Sequence, residues 1–552
     1  VLATGKAHGL LLARKTLWMA AGGWRRTGYQ LEELDVRLRL HEAAGEKAFG
    51  HLPGILLHRH QNNCPPFDRD PHRVKEAHQL IVKGHLLRSN MAAAIEPGRM
   101  PQLCNIRHAL ANPPKITAII LTKDNGAGLS ACLRSLHDKT DYPNLGILVI
   151  DNGTTEKSAR AVIDNLIASA PGTIQVASFN QPFNLATMCN AAAQVATGEL
   201  LLFLHDDVEA LHPDWLKALA AQCLRPGVAM AGGCLLTADG KIQEAGIVPL
   251  QVGIVGNSFA GLAQNSPDPL GRLHTAHPVS AISAACMLVR RDVFEALGGM
   301  DAASFPSRVA DIDFCLKVRA AGHQIMWTPY ATLQHDSDGT TQGNRHDNDA
   351  LLAKWGSRLT DDPCFSPYLA INSNQFEPET DPTFLPDPVT WHPQHNIFAI
   401  LTDDNWTAKG RLEQTTQSAT ALGHIRGRVA KSFPAPVTPR QLREVALYRQ
   451  LLGCRVVMDI DQLFLLEFES ADPLRHIRTC LHYFDRDVDQ FTCSSTWLVD
   501  QLPKWRERIH VVPGTLDAKR WSSLPEKPIR RSEKMRIGWH VTPADRHVIA
   551  PT

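Results

Sequence analysis

The chain lacks any apolar run of about 18 residues, the minimum for a membrane-spanning helix, so no transmembrane segment is expected in its 552 residues. It has no excess of either charge: 57 Lys and Arg stand against 56 Asp and Glu, a net of +1. A nucleic-acid partner or an electrostatically held membrane protein is therefore not expected. Its 12 cysteines are scattered singly, with no C-x-x-C pair. That spacing argues against a zinc ribbon or a disulfide framework and for reduced, mostly buried thiols in a cytoplasmic protein. The opening Val1-Leu2-Ala3-Thr4-Gly5 has no initiator Met and no signal-peptide pattern. What remains is an ordinary globular composition, 44% hydrophobic and 20% charged, long enough for roughly three to four domains of about 150 residues.

The most informative stretch is Leu200-Leu201-Leu202-Phe203-Leu204, which runs directly into His205-Asp206-Asp207. A short apolar run after Thr197-Gly198-Glu199 predicts a buried strand of a parallel sheet. Ligands of open α/β sheets gather at the carboxyl ends of such strands. Acidic groups there can hold Mg2+ or Mn2+ against the phosphates of a nucleotide. The plainer reading makes Asp206 or Asp207 the cap of a helix starting near Pro213-Asp214-Trp215.

The surrounding residues repeat the same pattern. Strands are predicted at Ile116–Thr122, Leu145–Ile150 and Ile174–Ala177, with helices between them at about 129–137 and 156–170 and a later helix containing Asn190. Alternation of this kind predicts a parallel α/β sheet. Thr122 with Asp124, then Asp151, then Asp206 with Asp207 all fall just past strand ends. A single such Asp is commonly a cap or turn, whereas acidic groups in successive βα units indicate a nucleotide pocket.

An order of short runs extends through the whole segment: 119–124, Val149-Ile150-Asp151-Asn152-Gly153, Phe183-Asn184, Asn190, 205–207, Asp214-Trp215-Leu216, Gly240-Lys241-Ile242-Gln243-Glu244-Ala245-Gly246, Gly298-Gly299-Met300-Asp301, Asp311-Ile312-Asp313, and Pro329 through His335. In order and spacing, residues 113–345 resemble an inverting family 2 glycosyltransferase of the GT-A fold, a Rossmann-like mixed sheet that binds nucleotide-diphospho-sugars. The resemblance implies roles. Thr122, Asp124, Asp151, Asn184, Asn190 and Asp206 would contact the nucleotide. Asp206, Asp207 and His335 would hold Mn2+ or Mg2+ on the diphosphate, and Asp311 would be the catalytic base. Asp313 would support the start of its helix.

Three departures from that pattern stand out. His205 takes the first place of the D-x-D triplet, Ala310 precedes the expected base, and 336–343 carries no Arg where relatives grip phosphate, although Arg345 is near.

Residues 1–62 read as a partial second copy of the same domain. Gly22-Gly23-Trp24 parallels Gly298-Gly299-Met300, and the run 32–40 parallels 310–318. A helical linker is expected at 63–112, with a helical pattern over 72–91, and a Pro-rich linker at 346–394. Residues 395–552 resemble part of a GT-B domain of the family 4 type, from which no independent catalysis is expected. The function implied is transfer of a sugar from a nucleotide-diphosphate donor to a glycan or lipid-linked glycan in bacterial surface polysaccharide synthesis. Its place would be the cytoplasm, with peripheral association at the inner membrane. A nucleotidyltransferase is disfavoured because 124–128 lacks basic residues. The alternative is a degenerate scaffold or glycan-binding protein.

Overall fold

The computed structural model describes residues 3–4, 11–27, 31–45, 49–50, 71–100, 103–169, 174–249, 255–268, 271–306, 309–335, 345–360, 362–366, 369–370, 373–377, 395–401, 409–422, 425–431, 456–460, 488–501 and 503–512. The chain divides into two compact units, the first Val1–Pro393 with Leu447–Cys454, the second Gln394–Ala446 with Arg455–Thr552.

The first unit opens with helices α1 (Lys15–Ala20), α2 (Glu32–Ala44) and α3 (Pro71–Arg88). Strands β1 (Ala93–Pro97) and β2 (Cys104–His108) follow as an antiparallel pair. The expected linker at 63–112 thus contains a two-stranded ribbon as well as a helix. Then come β3 (Ile116–Thr122), α4 (Gly126–Asp138), β4 (Leu145–Asp151), α5 (Lys157–Ser169), β5 (Ile174–Ser178), α6 (Leu185–Val195), β6 (Leu200–His205), β7 (Val208–Ala210) and α7 (Trp215–Cys223). The unit continues with β8 (Val228–Leu236), β9 (Ile242–Glu244), β10 (Ile247–Pro249), β11 (Val255–Asn257), β12 (His277–Pro278), β13 (Cys286–Arg290), α8 (Arg291–Ala296), α9 (Ala310–Ala320), β14 (Gln324–His335) and α10 (Arg345–Thr360).

Ten strands make one sheet in the order β12-β14-β8-β13-β6-β3-β4-β5, with β7 on β14 and β9 on β8. Strands β3, β4, β5 and β6 are mutually parallel, while β13 runs antiparallel to both β6 and β8. The sheet is therefore mixed, as the expected Rossmann-like GT-A architecture requires.

Side-chain alternation explains why β6 could be read as one apolar run. Leu200, Leu202 and Leu204 enter the core on one face, under α4, α5 and α7, and Leu201 and Phe203 enter the other, under α6, α8 and α9. A strand covered on both faces has no solvent side and needs no polar residue. The helices begin where local chemistry dictates. The Asn125 side chain accepts from Gly128 N at 3.1 Å to cap α4, and Asn184 accepts from Thr187 N at 2.9 Å to cap α6. Asp206 and Asp207 cap neither: they sit in the turn between β6 and β7, ahead of α7.

The first unit does not stop at 345. Leu351 and Leu359 of α10, and Phe376 beyond it, belong to the same core as β6 and α9. Part of the stretch expected to be a Pro-rich linker is thus an integral helix; 378–394 lies outside the described residues.

The turn after α1 matches the turn after α8 bond for bond. Gly22 N donates to Met19 O and Gly23 N to Trp18 O; Gly298 N donates to Glu295 O and Gly299 N to Phe294 O. All four glycines have φ between 58° and 79°, the left-handed region that closes a helix of this type. At the first turn Arg39 donates to the carbonyls of Ala21 and Gly23, and at the second Lys317 donates to those of Leu297 and Gly299.

In the second unit, β15 (His395–Leu401) pairs in parallel with β16 (Ile425–Lys431), and α11 (Gln414–Ala421) lies between them in sequence. Strands β17 (Val457–Ile460), β18 (Gln490–Cys493) and β19 (Ile509–Val511) form a parallel trio, with α12 (Thr496–Gln501) between the last two in sequence. Within 395–552 the stretches 432–455, 461–487 and 513–552 lie outside the described residues.

Candidate active site

The ends of β3, β4 and β6 bring the first group of expected residues together. Thr122, the last residue of β3, donates its hydroxyl to Asp206 Oδ2 at 2.6 Å, and Asn125 donates its amide to Asp206 Oδ1 at 3.1 Å. Burial pushes the Asp206 carboxyl up, against these two hydrogen bonds. Asp124 adopts φ 53° and accepts from Thr155 N at 2.6 Å and Glu156 N at 2.8 Å, just ahead of α5. Those backbone bonds lower its pKa. Asp151 is buried at the end of β4, accepting from Thr154 N at 2.9 Å and from Arg160 at 3.1 Å.

Asn184 and Asn190 serve the fold. The Asn184 amide caps α6 and donates to Ala302 O at 3.3 Å. Asn190 makes a reciprocal pair with Met300, donating to its carbonyl and accepting from its N–H, each at 2.8 Å. Both residues, expected at the nucleotide, thus also tie α6 to the loop 298–302. Asn190→Ala is expected to lower the stability of the first unit by ~1–3 kcal/mol, because it strands the Met300 backbone groups. Denaturant unfolding followed by tryptophan fluorescence measures this, and an unchanged midpoint with weakened nucleotide binding would return Asn190 to the ligand.

The second group lies where β6 and β14 end. His205, Asp207 and His335 each offer one ligand atom, and these atoms lie within 4.8 Å of one another. Asp207 Oδ1 is 3.2 Å from His335 Nε2, and His205 Nδ1 is 3.3 Å from the same nitrogen. His335 Nδ1 lies 2.6 Å from Gln243 Oε1. An amide oxygen can only accept, so Nδ1 carries a proton, and Nε2 is the nitrogen that faces His205 and Asp207. Burial and the neighbouring His335 hold the His205 ring down to about 4. For Asp207, burial acts upward, but the hydrogen bond and charge of His335 outweigh it and lower the carboxyl. Two imidazoles and a carboxylate converging in this way suit a divalent transition ion. Asp206, expected among the ligands, is not in this cluster. In the turn after β6 its carboxylate points to Thr122 and Asn125, while Asp207 faces the other way.

Asp311 sits in the first turn of α9 and is only 6% exposed. It accepts from Ala284 N and Ile312 N at 2.9 and 2.8 Å. Burial nonetheless raises it to about 7, with the charge of Glu244 adding to the shift. Glu244, itself pushed up by burial, accepts from Ser283 N at 3.1 Å. Neighbouring residues of β9 thus reach both parts of the site: Gln243 fixes His335, and Glu244 lies one amide away from the Asp311 contact. Asp313 is fully buried, accepts from Trp355 Nε1 at 2.7 Å and pairs with Lys354 at 2.8 Å, a support for α10. The run 336–344 lies outside the described residues, as does the side chain of Arg345.

Sequence reasoning gave no role to Gln243, Glu244, Asn125 or Arg160. The first two stand in the run 240–246, whose Gln-Glu pair was the available signal.

The chain is 29% identical over 365 residues to the uncharacterized protein y4gI of Sinorhizobium fredii, covering 64% of this chain and 40% of that protein. It is 29% identical over 340 residues to the O-antigen biosynthesis protein RfbC of Myxococcus xanthus, covering 61% of this chain and 26% of that one. The chain therefore spans less than half the length of these curated relatives. Among solved structures, that of GalNAc-T7 with UDP, GalNAc and Mn2+ aligns at a TM-score of 0.38 and 16% identity, over 46% of this chain and 50% of the other. Residues 117–298 match the family model described as Glycosyl transferase family 2. The segment that carries Thr122, Asp151, the 205–207 triplet and β9 is a family 2 glycosyltransferase domain.

Proposed function

We propose that the first unit transfers a sugar, with inversion, from a nucleoside diphosphate donor to a hydroxyl of a glycan or lipid-linked glycan, in bacterial surface polysaccharide synthesis. One observation carries this reading: adjacent residues of one short strand reach both parts of the site, Gln243 bonding His335 of the His-Asp-His cluster and Glu244 bonding the Ser283 amide next to the Ala284 amide that bonds the buried Asp311 carboxylate. The base and ribose of the donor lie over Thr122, Asp124, Asp151 and Asp206, at the carboxyl ends of β3, β4 and β6. His205, Asp207 and His335 would hold a divalent ion, which would supply positive charge against the diphosphate. Asp311 takes the proton of the acceptor hydroxyl as that oxygen bonds to the anomeric carbon. The bond from that carbon to the diphosphate oxygen breaks, and the nucleoside diphosphate leaves with the electron pair. A single displacement of this kind inverts the anomeric centre.

The matching Gly-Gly turns and their tethering cations support a partial second copy at 1–62. The parallel strands of the second unit fit a partial GT-B-like domain at 395–552. Among the described residues no helix is long and apolar enough to cross a membrane, and we place the protein in the cytoplasm, at the inner face of the membrane where lipid-linked acceptors lie.

The test is binding and turnover of UDP-, GDP- and dTDP-sugars by the full chain, with and without Mn2+. One nucleotide class should bind, more tightly with metal, and be hydrolysed or transferred. Failure of all three classes would leave the scaffold reading in its place.

A further inference from the structure

The metal-type cluster differs from the acidic triplet the sequence pattern leads one to expect, because an imidazole stands at position 205. We infer that His205 is a direct ligand, so that the site is a two-histidine, one-carboxylate centre that prefers Co2+ and Mn2+ and strongly disfavours Mg2+. The inference deepens the proposed donor site and rests on its reading as a metal centre.

The geometry supports ligation over simple packing. With metal–ligand bonds of about 2.1 Å, two neighbouring ligand atoms on one ion lie about 3.0 Å apart. The observed separations are 3.2 Å from Asp207 Oδ1 to His335 Nε2 and 3.3 Å from His205 Nδ1 to the same nitrogen. Each separation fits two ligand atoms sharing one ion, and all three ligand atoms lie within 4.8 Å of one another. The Gln243 contact occupies His335 Nδ1 and leaves Nε2 as the ring nitrogen that faces the centre.

His205 closes β6, whose backbone register against β3 and β13 fixes the position of its Cα. The ring is thus delivered by the sheet, on the strand that leads to Asp207. Asp206, the intervening carboxylate, is turned away to Thr122 and Asn125. The ligand count from the chain is one oxygen and two nitrogens. Magnesium prefers oxygen and gives up its waters reluctantly, whereas imidazole nitrogen favours later first-row ions in the order Mn2+, Fe2+, Co2+.

The experiment uses the full chain, freed of metal by a chelator, and titrates Mg2+, Mn2+ and Co2+ by calorimetry without any nucleotide. Pulsed EPR of the Mn2+ form counts the coordinated nitrogens. Wild-type protein should bind Co2+ and Mn2+ at least ~100-fold more tightly than Mg2+ and show two nitrogen couplings. His205→Asp should show one coupling and narrow the discrimination against Mg2+ by at least ~10-fold. A single nitrogen in the wild type, an unchanged ion order in His205→Asp, or no binding of any of the three ions would overturn the inference. The wild-type nitrogen count stands even if the variant fails to fold. Nucleoside diphosphates are added only afterwards, so metal binding without nucleotide binding would sink the transferase reading while leaving this one intact.

Discussion

Asp311→Asn is expected to slow sugar transfer by ~10²–10⁴-fold while leaving donor and metal affinity within about twofold of wild type. The amide keeps the shape of the carboxyl and its one oxygen can still accept from the Ala284 or the Ile312 N–H, but it cannot take a proton from the acceptor. The pH profile makes the assignment sharper. Only the ionised carboxylate is a base, and burial holds Asp311 protonated up to about 7. Wild-type transfer should therefore rise about tenfold per pH unit below 7 and level off above it, and the variant should lose that rise. Stability should move the opposite way. Between the ordinary carboxylate range and about 7 the folded state binds this proton and the unfolded chain does not, so unfolding free energy falls as pH increases across that window and is flat beyond it. Steady-state rates from pH 5 to 9 check the first claim, and an Asn variant as fast as wild type at every pH would remove Asp311 from the chemistry.

The second large effect is at Asp207. Loss of groups that merely support a metal ligand costs 10–100-fold in metal affinity in other sites. Removing the only carboxylate of the cluster should therefore cost at least ~100-fold in Asp207→Ala, with metal-dependent nucleotide binding lost alongside. Asp206→Ala is the informative partner. Its carboxylate bonds to Thr122 and Asn125 and stands outside the cluster, so its metal affinity in the absence of nucleotide should stay close to wild type. Calorimetry on both variants separates the two acids. Equal losses would place both on the metal, as the sequence pattern alone suggests.

The residues that could be read from the chain are those whose signal is local. Strand β6 announces itself because five apolar residues in a row fit only a strand buried on both faces, and the polar residues after β3, β4 and β6 follow from the same reading. The elements around Asn184 and Asn190 follow from the sequence, whereas their ties to the loop 298–302 do not. An amide that caps a helix or clamps a turn has the same composition as one that binds a nucleotide, and only its partners distinguish the two. The His205 cluster depends on a nitrogen 130 residues away in the chain, and Gln243 reaches His335 across 92 residues. No periodicity encodes such meetings, since the sheet order β14-β8-β13-β6 creates them. Helix α10 was obscured because prolines dominate the sequence just beyond it, while its attachment rests on a few residues such as Leu351 and Trp355.

Lys354 lies between two acids, 2.8 Å from Asp313 and 3.0 Å from Asp301, and Trp355 closes over the same buried Asp313 carboxylate. Asp313 is two residues from Asp311, on the same first turn of α9. The stretch recognisable as a family 2 domain ends at 298, but the smallest polypeptide that can keep this turn in place must run past 355. A shorter piece would leave a negative charge in an apolar core with no cation to meet it, which is strongly unfavourable. The frontier that evolution has made visible in sequence and the frontier at which the molecule can be cut are therefore more than 50 residues apart, with the proposed base Asp311 lying between them.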